Sequence, residues 1–494
     1  MKIKNIICAA IIICCALSLV YCGNEETGGT NTAEPAYGNG GGLFDEAAEE
    51  IPEAAASEIS DGLPETDWSG RAFRILSRAC CENHVQEVWV ESETGDVIDD
   101  AVYRRNRAVE ERFNISIEAT FPDAAVEDYV NTVLERAVQA GDDLFDFALF
   151  HHMFGSWSAQ KGLCLNWYSL PHINFEQPWW ASWITKNYTI DGKSYLALND
   201  MGTGSITDAS VLFFNKKLVP ENALEDPYEL VRAGKWTIDR LSEYVKGVAK
   251  DFNGDGVMDE NDLYGITGSG GMSFQFMYAA DQQVVRLDDE GYPEIILNSE
   301  KMINIFNKCK ELFHSPDSSI GDMYETGIIF REDRALITTG SIGNALRGFR
   351  DMETDFGIIP YPKYDEEQTN YYTHLIAHGP IMTIPMTTPD LEFTGMIIEA
   401  LAAEGYKKVK PVLIDVALKT KQVRDDDSAE MIDIVLEGRR SCFGYPYDGW
   451  GMTFILDFMA RGQEMDFSSY YERNVRRAQR AYENVIEQFR SFDY

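Results

Sequence analysis

Residues 251–262 read Asp-Phe-Asn-Gly-Asp-Gly-Val-Met-Asp-Glu-Asn-Asp. Side-chain oxygens recur at alternate places, with Asp251, Asn253 and Asp255 first, third and fifth. Gly256 stands sixth, where a cation-binding loop turns sharply and a residue without Cβ takes positive φ at little cost. Val257 would add its carbonyl, and Asp259 and Asp262 would close the ring. Oxygen ligands spaced around one tight turn are what a calcium ion needs. The last place holds Asp where a calcium-sensing loop carries the longer Glu, so the expectation is a static structural brace. The same residues also fit a solvated acidic turn that holds no metal.

Aromatic residues gather in two loop-like stretches. Trp179, Trp180 and Trp183 follow Pro178, and Tyr445, Tyr447 and Trp450 stand among Pro446, Asp448 and Gly449. A flat aromatic face suits the apolar C–H face of a sugar, while carboxylates, amides and guanidinium groups suit its hydroxyl rim. Asp200, Asp208, Asn344 and Arg347 are candidates for that rim, Arg347 because a bidentate guanidinium matches vicinal hydroxyls or an acidic sugar. The competing reading of each is a cap, a surface ion pair or packing. His151 and His152 are adjacent, and neighbours on a strand point to opposite faces. No third ligand has matching spacing, so no zinc site is expected there. Gly-x-Ser-x-Gly, His-Glu-x-x-His, a phosphate loop and a glycine-rich dinucleotide turn are all missing. With 81 acidic residues, counting does not exclude a glycosidase pair of carboxylates, but nothing singles one out.

These residues need elements to position them. Residues 73–76 read as a strand, and Ile98, Val102, Val109 and Phe113 recur at helical spacing. A strand at 115–119, a helix at 126–140 stopped at Gly141 and an apolar run at 145–150 follow. This alternation implies a parallel α/β sheet, whose ligands bind beyond the carboxyl ends of the strands. His151, His152, Phe154 and Trp157 then stand at a site-facing edge. Strands at 194–198 and 211–214 would flank a first crossing between lobes at 199–209. Thr237 caps a helix at 238–249, and a helix at 299–313 carries Ile303, Phe306 and Cys309 on one face. Residues 334–343 and 356–359 are strand-like, 381–385 cross back, and helices are expected at 391–403 and 468–489.

The N-terminus reads as an export signal, with Lys2 and Lys4 ahead of an apolar run at 6–20. Leu19-Val20-Tyr21-Cys22-Gly23 resembles a lipoprotein cleavage box with Cys22 as the lipidated residue, although Tyr21 stands where a small residue is usual. Residues 23–66 are rich in Gly, Thr, Asn, Glu, Ala and Pro and read as a flexible tether. The net charge of −38 disfavours nucleic acid and anionic membrane surfaces as partners. Cys80, Cys81, Cys164, Cys309 and Cys442 have no metal-ligand spacing and read as free thiols. Residues 67–494 are too many for one core, so two lobes are expected.

Several segments resemble those of the extracellular solute-binding lipoproteins of bacterial carbohydrate ABC importers, family 1 type. They are residues 100–115 (Asp-Ala-Val-Tyr-Arg-Arg-Asn-Arg-Ala-Val-Glu-Glu-Arg-Phe-Asn-Ile), 177–180 (Gln-Pro-Trp-Trp), 213–218 (Phe-Phe-Asn-Lys-Lys-Leu), 226–268, 349–364 and 399–406. The resemblance implies a two-lobed, periplasmic-binding-protein-like (type II) α/β fold with a hinge. Lobe 1 would take 67–208 plus 381–444, and lobe 2 209–380 plus 445–494. It implies a monomer without enzymatic activity that binds a carbohydrate, docks on permease subunits and stacks Trp450 on a sugar. A surface glycosidase, a binder of another polar solute and a calcium-dependent adhesion protein are the rival expectations.

Overall fold

The computed structural model describes residues 59–78, 87–122, 129–288, 290–321, 323–376, 379–414, 426–448, 451–462 and 465–492. The signal segment, Cys22, the tether up to residue 58, Cys80, Cys81 and Trp450 lie outside the described residues. Within the body Leu63–Tyr494 the chain builds two separate principal sheets.

The first sheet starts with β1 (Arg71–Ser77), followed by helix α1 (Val97–Phe113), β2 (Ile115–Thr120), α2 (Tyr129–Ala140) and β3 (Phe147–His151). Helix α1 begins because Asp96 accepts from the amides of Ile98 and Asp99, and it ends at Asn114, which takes a left-handed conformation. β1 pairs parallel with β2 on one side and β3 on the other. The crossover from β1 through α1 to β2 and the one from β2 through α2 back past β1 to β3 run in opposite directions across the sheet, which for right-handed connections puts α1 and α2 on opposite faces. β3 is buried along its whole length, which explains its uninterrupted apolar run. Helix α3 (His152–Gln160) follows β3 at once.

The second sheet contains β4 (Ser210–Asn215) and β5 (Tyr264–Ser269), with α4 (Ile238–Val245) between them. Thr237 caps α4 as expected, through its side chain and the Arg240 amide. The helix stops at Val245 rather than continuing to 249, because Lys246 adopts extended dihedrals and Gly247 turns with φ 77°. After β5 come α5 (Gln275–Ala279), a hairpin of β6 (Val285–Leu287) and β7 (Pro293–Ile295), α6 (Glu300–Phe313), β8 (Ser318–Gly321), β9 (Ala335–Ser341), α7 (Ile342–Leu346) and β10 (Phe356–Ile359). Residues 342–343, expected at the end of a strand, therefore open a helix. The sheet order is β10-β4-β9-β5-β8, with β5 parallel to β8 and β9 and β4 antiparallel to its neighbours.

β11 (Pro380–Thr383) returns to the first sheet, antiparallel to β3, as the expected crossing back. Helix α8 (Leu391–Glu404) packs on α1. Helix α9 (Asp426–Glu437), expected within lobe 1, packs on the second sheet instead. Its Ser428 hydroxyl accepts from the Ile358 amide of β10 at 3.1 Å, and Arg232 pairs with Glu430. Residues 194–198 form no strand, only isolated bridges such as Ala197 to Met382. The chain ends with α10 (Ile455–Ala460) and the long α11 (Phe467–Ser491), which packs on both α3 and β7. No described helix is long and apolar enough to cross a membrane. Among the described residues the cysteines Cys164, Cys309 and Cys442 are free and buried.

Candidate functional site

Three connecting segments run between the two sheets and hydrogen-bond to one another. The Ser210 amide donates to the His374 carbonyl at 3.3 Å, and the Ile376 amide to the Asp208 carbonyl at 2.9 Å. Thr373 and Arg440 close the other side, through Thr373 N to Gly438 O at 2.9 Å and Arg440 N to Thr373 O at 2.8 Å. This seam is a three-stranded hinge. β1 and β3 end beside it, and so do β5 and β9, with the Ser269 amide donating to Thr339 Oγ1 at 3.2 Å. In both sheets the chain reverses its direction of winding at that pair of strands, the place where open α/β sheets bind ligands.

Arg78, just after β1, fills the reversal point of the first sheet. Its Nε and Nη2 donate to the two oxygens of Glu87 at 2.8 and 2.7 Å. Nη2 also reaches Asp208 at 3.2 Å, and Nη1 donates to His151 Nδ1 at 3.0 Å. All four side chains are buried. A buried guanidinium is tolerable only with such partners, and the bidentate pair fixes its plane. The cluster ties β1 and β3 to the first connecting segment. Arg105 of α1 does a similar task, donating to the carbonyls of Met201 and Val88, and burial pushes its pKa down to about 9. Neither arginine stands out in the sequence: Arg78 is a single Arg after a strand, and Arg105 is one of three arginines within four residues of α1, with nothing in the spacing to mark it as the buried one.

Asp208 and His151, expected as ligand contacts, are thus partners of Arg78. Asp200 pairs with Lys410 at 3.1 Å and accepts from Ser205. Asn344 gives its carbonyl oxygen to the Ser341 amide at 2.8 Å as the cap of α7, leaving its N–H2 group for other contacts. Arg347 follows α7 and is half-buried. Its charge reaches Asp99 in the first turn of α1, where burial pushes the carboxyl up and the guanidinium pulls it down. Trp157 is 38% exposed, with the edge of Phe154 against its ring at 4.8 Å. It remains available as an aromatic platform.

Two expected aromatic contacts are core residues. Tyr447 is buried against Phe443, Tyr188 and Phe489. Trp179 is fully buried, and its indole N–H donates to Glu399 Oε1 at 3.0 Å while Trp180 donates to Oε2 at 2.9 Å. One buried carboxylate on α8 satisfies both indoles, which is why the tryptophans stand side by side. Trp89 was not anticipated. It is half-buried and pairs with the exposed Phe121, just past the carboxyl end of β2.

The loop 251–262 turns as its glycines require, with φ 73° at Gly254 and 82° at Gly256. Its carboxylates face its own amides. Asp251 accepts from Gly254 and Gly256, Asn253 from Asp255, Asp255 from Val257, and Asp259 from Asn261. Asp262 is buried at the base, and the amides of Asp259 and Phe252 hold its carboxyl below its usual range. Among the described residues no three His, Cys, Asp or Glu side chains converge as a metal-holding group. The expected ring of oxygens is present here as successive Asx turns.

No family model and no curated protein matches the sequence. Solved structures match the fold. An ABC substrate-binding protein from Listeria monocytogenes, in complex with cycloalternan, aligns over 85% of this chain and 97% of its own at 13% identity, with a TM-score of 0.51. A cyclo/maltodextrin-binding protein complexed with maltotetraose aligns over 86% and 98% at 14% identity, with a TM-score of 0.53. UgpB from Mycobacterium tuberculosis, in complex with glycerophosphocholine, aligns over 78% and 95% at 14% identity, with a TM-score of 0.54. The chain has the two-lobed α/β fold of these binding proteins.

Proposed function

We propose that this chain is the substrate-binding component of an ABC importer, capturing an oligosaccharide at the cell surface and presenting it to permease subunits. The observation that carries this reading is the hinge seam beside the ligand-binding ends of two sheets, in a fold whose solved examples hold cycloalternan and maltotetraose. A ligand that touches both lobes gains contacts in the closed arrangement that the open one lacks, and so shifts the population toward closure. Glu87 and Asp208, the carboxylates at the reversal point, are both held by Arg78, an arrangement suited to positioning rather than proton transfer. Trp157, Arg347 and the Asn344 amide are the described side chains proposed to meet the sugar, with Trp450 stacking on it. Calcium binding at 251–262 and lipidation at Cys22 belong to the same proposal. The lipid would hold the monomer at the membrane, with 23–66 as its tether, the last part of which meets α1 through Leu63 and Glu65 on Arg112. The glycerophosphocholine in UgpB favours one second reading, a polar solute other than a sugar.

A thermal-shift screen of saccharides, with glycerophosphocholine beside them, tests the ligand class. A ligand at 100 times its dissociation constant adds about 2.7 kcal/mol to stability. Chromatography of the bound saccharide after long incubation should return it intact; steady appearance of shorter sugars would make the protein a hydrolase. Fatty-acid labelling should mark the wild type and miss Cys22→Ser.

A further inference from the structure

A groove of about 710 Å³ runs along β8, the end strand of the second sheet, between the ends of α6 and α10. Its floor and walls include Tyr264, Phe313, His314, Ile320, Gly321 and Arg461. His314 Nε2 lies 3.1 Å from the Met459 carbonyl and ties the two helix ends together, so the walls are fixed to each other. No Asp or Glu is among the described residues that line it, in a chain with 81 acidic residues against 43 basic ones. A groove without a carboxylate on so acidic a chain has a sign of its own.

Arg461 supplies that sign and is placed to use it. Its side chain lies across the turn Gly270–Met272, directly after β5. A Cβ on Gly270 would stand 2.8 Å from Arg461 Cγ, and one on Gly271 3.2 Å from Nη2. The two glycines therefore let the side chain lie flat, with its guanidinium at the carboxyl end of the parallel strands, where such sheets bind ligands. Among the described residues Arg461 forms no ion pair. Asp457, one helical turn earlier, is buried and accepts from the Phe274 amide at 2.7 Å. Burial pushes the Asp457 carboxyl well up, which weakens its claim on the neighbouring charge. β8 adds the outward-facing backbone groups of an edge strand.

We infer that this groove is a ligand subsite for an acidic sugar unit, with Arg461 clamping the carboxylate of a hexuronic acid residue of the bound oligosaccharide. The inference rests on the carbohydrate-binding reading and narrows it to uronate-containing saccharides. A planar guanidinium and a carboxylate form two parallel hydrogen bonds, a geometry that a neutral hydroxymethyl group does not reproduce.

The test compares an oligogalacturonate with its carboxyl-reduced counterpart by calorimetry on the full chain. The acidic oligosaccharide is expected to bind at least roughly tenfold tighter, as loss of one charge-assisted pair implies, and to weaken with added salt. Arg461→Gln should bring its affinity down to that of the neutral counterpart, and Arg461→Lys should restore part of the difference. Circular dichroism checks that both variants fold. Equal affinity for the two wild-type ligands, or a preference that survives Arg461→Gln, overturns the inference while leaving carbohydrate binding standing. Binding of neither ligand, nor of any saccharide in the broader screen, overturns both.

Discussion

The Glu399 carboxylate shows how one residue can fix the meaning of others. Trp179 and Trp180 beside a proline read equally well as a sugar platform or as packing. The deciding partner lies 220 residues from Trp179, on α8. With Glu399 in place, two indole N–H groups that would otherwise be buried without partners are satisfied, and Trp179 is sealed from solvent. Removing the carboxylate leaves both donors unpaired, each costing about 1–3 kcal/mol. Glu399→Ala should therefore lower unfolding stability by roughly 2–5 kcal/mol in denaturant titration. Trp179→Phe, which removes one donor and keeps most of the ring, should cost less. A neutral Glu399→Ala would mean the tryptophans are held by packing alone. Arg78 and Arg105 follow the same logic, since each matters through carbonyls and carboxylates that sequence spacing does not reveal.

At the scale of elements, local pattern was a good guide wherever one face had to be buried. The strands at 73–76 and 115–119, the helix at 299–313 and the return at 381–385 all formed. Alternation and helical spacing report burial directly. The same patterns do not say which sheet an amphipathic helix covers, and α9 packs against β10 of the second. Nor do they separate a strand from an extended segment with single bridges, as at 194–198. The candidate site is legible only in part: His151 and Trp157 follow β3 as read, but His151, Asp208 and Asp200 are engaged with protein partners. The loop 251–262 has its turn as read, and its oxygens are turned inward to amides. Ionised carboxylates keep further lone pairs beyond those bonds. Calcium would draw Asp251, Asp255 and Asp259 together and brace α4 against β5. Calcium should then raise the melting temperature, and chelator or Asp255→Ala should cancel the rise. No heat of binding in calorimetry, with melting unchanged by chelator, would leave the loop an acidic turn.

The molecule as a whole turns on its hinge, and the hinge has two histidines at its centre. His152 opens α3 on the first sheet, and His374 lies in the second connecting segment. Their rings stack at 5.8 Å and 12°. Tyr445 from the third segment packs on both, Tyr278 of α5 stacks on His374, and Phe274 contacts His374 edge-on. Tyr188 lies 2.6 Å from His152 Nε2, and Arg78 is the nearby fixed charge. Burial keeps this cluster neutral. It pushes His374 down to about 4 and His152 well below its ordinary value, and raises the Tyr188 and Tyr278 phenols and the Cys442 thiol. An imidazole exposed in the unfolded chain takes up its proton near pH 6.5. Between about 6.5 and 4 the unfolded chain therefore binds protons that the folded hinge refuses, and stability falls as pH falls through that window. Each imidazole contributes at most about 1.4 kcal/mol per pH unit. Melting temperatures between pH 6.5 and 5, above the range where most carboxylates titrate, should drop with acidification. His374→Asn and His152→Asn should each flatten that drop, although each lowers stability at neutral pH by disturbing the stack. An unchanged slope in both variants would place the acid sensitivity elsewhere. Because the same rings join both sheets and two of the three connecting segments, the loss should appear as one cooperative transition rather than as separate melting of two lobes.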